Sequence, residues 1–172
     1  PESHRYIRLA VDADPEDDTP PVELRKALFS FLLASAQLNM TGQLKRKRGG
    51  QKQPVVSFMI HPHLRKNQHD RWYGWVKSEW QQWKAVLKGL MPDDPALPTL
   101  LDDWRDAYDD LCEFSNPDRE MKSLEELFFH LRVIGKDVKL WPVNGDHPNV
   151  NWKKGRFHIL VGGNKLNRGF TV

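Results

Sequence analysis

The sequence predicts an α/β domain built on a mostly parallel sheet flanked by helices. Short apolar runs of strand length recur at 54–60, 137–143 and 157–161. Longer segments with apolar residues at three- and four-residue spacing lie between and before them, near 19–40, 67–90, 99–114 and 123–134. Strands separated by helices fold into a sheet with helical crossovers. Composition supports a packed core: hydrophobic residues are 39%, aromatics 10%, and there are seven tryptophans among 172 residues. A chain that stays solvated is poor in aromatics. The length suits a single domain over 1–172, with a helical insertion at 67–122 between sheet units.

Each element follows from local chemistry. In residues 5–11, Ile7, Leu9 and Val11 alternate at period two, which predicts a half-buried strand. Asp12–Asp18 is an acidic loop. Thr19-Pro20-Pro21 reads as a helix start, with Thr19 as N-cap and proline in the first turn. The helix continues to about Met40 and is apolar nearly all round, so it is expected to be deeply buried. Pro54–Ile60 lacks strict alternation and fits a strand covered on both faces. In the next helix Trp72, Val76, Trp83, Val86 and Leu90 share a face, so its tryptophans are expected to pack a core rather than stack bases. Pro92, Pro95 and Pro98 break the chain before a helix near 99–114 whose outer side is rich in aspartate. Ser123-Leu-Glu-Glu126 is a capping box, and Gly135 ends that helix. Strands at 137–143 and 157–161 complete the set.

The formal charge of +3 hides a polarised chain. Residues 93–126 hold twelve acids against three bases, whereas 136–172 hold seven bases against two acids. Lys45, Arg46, Lys47 and Arg48 form a basic run on a glycine-bearing loop, a candidate for phosphate backbone contacts. Lys153, Lys154 and Arg156 are expected to extend that patch beside the carboxyl-terminal segment. The longest apolar stretch, Ala27–Leu33, falls well short of the roughly 20 residues a spanning helix needs. A single cysteine, Cys112, excludes an internal disulfide framework and points to a reducing, cytoplasmic setting.

The last sixteen residues carry the most chemistry. An apolar strand runs into Gly162-Gly163-Asn164-Lys165-Leu166-Asn167-Arg168-Gly169. Ligand crevices in α/β sheets form outside the carboxyl ends of strands. Glycines let backbone N–H groups approach an anion, and Lys165 and Arg168 supply charge. His61, at the end of the 54–60 strand, is a polar contact for the same crevice. A metal site at His61, His63 and His69 is disfavoured, because Pro62 ends the strand and only Asp70 stands close by. Glu120-Met-Lys122 and Asp137-Val-Lys139 mimic nuclease spacing, but no second carboxylate is clearly placed beside either.

The segment Ile159–Thr171 resembles the signature of the Z-one (Z1) domain family, found in bacterial DNA restriction and defence proteins that often carry an endonuclease label. Pro20–Leu33, Val56–His61 and the strand at 136–141 also resemble that family. The same segment is similar to motif V of superfamily-two helicases. That resemblance implies a RecA-like fold of the helicase second-lobe type. It also implies nucleotide and nucleic-acid contacts at Gly162, Gly163, Asn164, Arg168 and Gly169, beside which Lys165 is a contact by its charge. No Gly-x-x-x-x-Gly-Lys-Ser/Thr phosphate loop occurs, so the chain is expected to be a fragment that does not hydrolyse ATP alone. The resemblance thus implies ATP and magnesium in a longer parent, with DNA, the missing lobe and other restriction or defence subunits as partners. A metal-dependent endonuclease and a non-catalytic module docking through the acidic helices are the alternatives.

Overall fold

A computed structural model describes residues 19–44, 54–62, 66–115, 120–143 and 149–163. The predicted strand at 5–11, the basic run Lys45–Arg48, His63, and Asn164, Lys165, Arg168 and Gly169 lie outside the described residues. Seven elements appear in the order α1 (Val22–Met40), β1 (Val56–Ile60), α2 (Lys66–Gly89), α3 (Leu97–Phe114), α4 (Leu124–Ile134), β2 (Val138–Val143) and β3 (Phe157–Gly162). The strands form one parallel sheet in the order β1-β3-β2. Among the described strands the last in sequence is therefore the middle one in space.

β3 is buried along its whole length, which accounts for its unbroken apolar character. Phe157, Ile159 and Val161 point into the main core, shared with all four helices. Leu160 points to the opposite face and joins a smaller cluster with Val143, Trp141, Val150 and Trp152. α2 packs on β3 and β2, while α3 lies against α1 and α4. The aromatic centre of the core is Trp104. It is fully buried and stacks on Phe29 at 3.9 Å between ring centroids, with the edges of Trp83 and Phe128 at 5.2 and 5.5 Å. Trp72, Trp80 and Trp83 are buried too, as their helical spacing predicts.

The helix ends differ from simple expectation in two places. α1 begins at Val22 rather than beside Thr19, and no side chain caps it. Pro21 holds an extended conformation (φ −58°, ψ 141°), so the helix starts only after it. α4 has the predicted capping box, with Ser123 accepting from the Glu126 N–H and Glu126 accepting from the Ser123 N–H. At its other end Gly135 is right-handed (φ −57°) rather than left-handed. Between α3 and α4, the Gln37 side chain of α1 donates to the Glu120 carbonyl and accepts from the Lys122 N–H. Tyr108 donates to the Lys122 carbonyl. Three hydrogen bonds thus fix residues 120–122, which have no regular structure of their own. No described helix is long and apolar enough to cross a membrane.

Candidate functional site

The register of the sheet decides what meets at its carboxyl end. Ile60 of β1 pairs with Val161, and Val143 of β2 pairs with Gly162. His61, the next residue after β1, is exposed and falls opposite Gly162. Gly162 and Gly163 are both buried. A Cβ at Gly162 would stand 2.6 Å from the Val143 backbone carbon and closer still to its oxygen. Glycine is required there because two strand ends close on one another. The Gly163 N–H donates to the Val143 carbonyl at 3.3 Å.

Gly163 packs on a side chain rather than on backbone. A Cβ at this position would lie 2.7 Å from His69 Nε2 and closer still to Cε1. His69 belongs to the beginning of α2 and is 5% exposed. The first turn of α2 therefore packs, through His69, against the carboxyl end of β3. A helix amino terminus presents partial positive charge, so the field there favours an anion. The carboxyl end of the sheet thus collects Gly162, Gly163, His61 and His69. Sequence reasoning weighed His69 only as a metal ligand. The available signal was its spacing: His69 is three residues before Trp72 and shares that buried face.

Lys153 and Lys154 are not at this end. They are exposed and precede β3, so the length of the strand, about 16 Å, separates them from Gly162. The turn that carries them is tied to the amino end of the sheet. Arg156 N–H donates to the Asp137 carbonyl, and Gly155 has φ +91° with no room for a Cβ beside the same carbonyl. On the sheet face away from the helices, His158 is fully buried. Its Nδ1 accepts from Trp141 Nε1 at 2.9 Å, which leaves Nε2 to donate to the Gly155 carbonyl at 3.3 Å. Burial, aided by the charge of Lys139, pushes this imidazole below its ordinary range, and the Gly155 bond opposes them. It is a neutral clamp for the 149–156 turn.

Among the described residues no group of three or more His, Cys, Asp or Glu side chains stands close enough to hold a metal ion. Asp137 pairs instead with Arg156 at 3.6 Å. Glu120 is exposed on the segment held by Gln37. On α3, Asp103 and Asp110 face Arg25 and Lys26 of α1 at 3.6 and 2.8 Å, so part of the acidic helix is neutralised within the fold.

Neither a curated protein nor a solved structure matches this chain. A family model does, the Z1 domain, over residues 23–172. That span takes in every described element, from α1 to the strand end at Gly162-Gly163, and continues through the Gly-Gly-Asn-Lys segment. The chain belongs to the Z1 domain family.

Proposed function

We propose that this chain is a helicase-like, RecA-type lobe that contacts nucleic-acid backbone and completes a nucleotide site with a second lobe. The observation that supports the reading best is the carboxyl end of β3. A fully buried central strand of a parallel sheet ends in Gly162-Gly163, opposite exposed His61 and against the amino end of a 24-residue helix. This is the position at which open α/β sheets hold ligands. In this reading the glycines let the strand end close tightly against Val143 and His69, and Lys165 and Arg168, which follow it in sequence, bring charge to an anion beyond it. The chemistry of ATP hydrolysis would need a phosphate loop and magnesium, which a second lobe supplies. DNA is the nucleic acid that the family resemblance favours, in a restriction or defence setting.

The test is binding of a fluorescein-labelled DNA oligonucleotide, followed by anisotropy, to the chain and to its Arg168→Gln variant. The reading expects salt-sensitive binding by the chain and weakening of about fivefold or more in the variant, the loss of roughly one charge-assisted contact. Equal affinity of the two proteins refutes the assignment of Arg168. No binding at low salt refutes the nucleic-acid reading itself. The endonuclease alternative finds little support, since Asp137 is held by Arg156.

A further inference from the structure

The candidate site at the carboxyl end of the sheet leaves the outward face of α2 unused. The inward face buries Trp72, Val76, Trp80, Trp83 and Leu87. On the other side Lys77, Gln81, Lys84 and Lys88 are exposed. At 3.6 residues per turn these four side chains fall within an arc of about 60°, and Lys77 to Lys88 spans about 16 Å along the axis. From Arg71 to Leu90 the only acid is Glu79. It is turned inward, accepting from Arg25 Nε at 2.7 Å and from Trp83 Nε1 at 2.9 Å. Lys77, Lys84 and Lys88 enter no ion pair among the described residues. Just beyond the helix, Arg132 donates to the Leu90 carbonyl and brings a fourth cation to the same end.

We propose that this lysine stripe is a second polyanion-binding surface, and that its partner is the phosphate backbone of a nucleic acid. The identity of the polyanion rests on the nucleic-acid reading above. The stripe itself argues against a protein partner. Protein interfaces are anchored by aromatic and apolar side chains in a desolvated centre. Here the three lysines, Gln81 and the neighbouring Ser78 are exposed, and the exposed apolar side chain nearest in sequence, Met91, lies beyond the end of the helix. Lysine, glutamine and serine are residue types that contact phosphate oxygens without reading bases. The field of the rest of the fold restricts where a polyanion settles. Asp102 and Asp103 of α3 are paired with Arg105 and Arg25, but exposed Asp106 and Asp109 repel the same polyanion and favour the α2 side. Because α2 starts at Gly163 and runs away from it, a backbone held on the stripe leads toward the candidate crevice.

The decisive protein is the triple variant Lys77→Gln, Lys84→Gln, Lys88→Gln. The probe is a fluorescein-labelled 20-base-pair DNA duplex, measured by anisotropy across 50–200 mM NaCl. Arg168→Gln and the surface pair Arg105→Gln, Lys136→Gln serve as comparisons. Each lost phosphate contact lowers the slope of log affinity against log salt by about 0.9, so the triple variant should lose about 2–3 and bind roughly tenfold or more weakly at 50 mM. The surface pair should behave as the parent. A triple variant with the parent's slope and affinity overturns the stripe while leaving the Arg168 reading standing. Failure of the parent to bind the duplex at all overturns both. Tighter binding of a poly-glutamate peptide than of the duplex also overturns the proposal, in favour of an acidic protein partner. Unchanged urea unfolding of the triple variant establishes that the fold is intact, as expected for substitutions of exposed side chains.

Discussion

Replacing Gly163 with alanine tests whether the end of β3 is built around His69. The added Cβ would stand 2.7 Å from Nε2 and 3.3 Å from Nδ1, and nearer still to Cε1. Non-bonded carbons prefer about 3.5–4.0 Å, so the ring or the strand end must retreat by more than about 1 Å. The ring is 5% exposed and has little room to retreat. Overpacking of this kind costs about 1–3 kcal/mol. At this chain length a cost of about 2 kcal/mol lowers Tm by roughly 4–8 °C. His69→Ala removes the obstacle and leaves a cavity of its own. In the double variant the new methyl meets space instead of a ring. Its destabilisation should therefore fall short of the sum of the two single changes by about 1–2 kcal/mol. Urea unfolding followed by tryptophan fluorescence measures all four proteins, with equal m-values as the check on two-state behaviour. Additivity to within about 0.5 kcal/mol would refute the contact.

Two further outcomes are expected. Trp104→Ala deletes the ring that Phe29, Trp83 and Phe128 surround, and should cost about 3–5 kcal/mol. Limited proteolysis should then cut within 97–114 first, and a loss under about 1 kcal/mol would show that α3 is held by something else. Acidification should weaken the fold through His158 and His130, both of which burial pushes below the ordinary range. A histidine depressed in the folded state takes up its proton first when unfolded. Stability is then full above the unfolded value near 6.5 and falls as pH drops through the folded one. His158→Asn keeps an acceptor for Trp141 without titrating there, so its stability should change less between about pH 7 and pH 5. An identical pH profile for the two proteins would remove His158 from the account.

Much of the architecture was legible because its causes are local. The apolar runs at 54–60, 137–143 and 157–161 became β1, β2 and β3, and the Ser123–Glu126 box formed as its spacing requires. α1 was displaced only by the tandem Pro20-Pro21, whose second ring holds the chain extended. The order of strands was not legible, since nothing in β1 or β2 says that β3 will enter between them. The contact of His69 with Gly163 joins residues far apart in sequence, so no window along the chain displays it. Lys153 and Lys154 misled for a related reason. They are neighbours of the final motif in sequence, but a strand puts its two ends on opposite sides of the molecule. The lysines of α2 stand at spacings of seven and four, so they form a stripe only once the segment is wound into a helix, whereas Lys45–Arg48 is contiguous in sequence.

The central position of β3 also sets the order in which this fold can be made. Met59 waits for Leu160, and Trp141 for the same residue, so among the described residues neither β1 nor β2 has a strand partner until the chain has been synthesised past 160. The helices have no such delay, because α1, α3 and α4 precede β3 and already share the cluster around Trp104. On the ribosome a helical intermediate is thus expected to gather first, with two unpaired strands exposed beside it. Joining β1 to β3 closes a loop of about a hundred residues, the kind of long-range pairing that makes folding slow. The segment that ends at the candidate crevice is the one whose arrival closes the sheet.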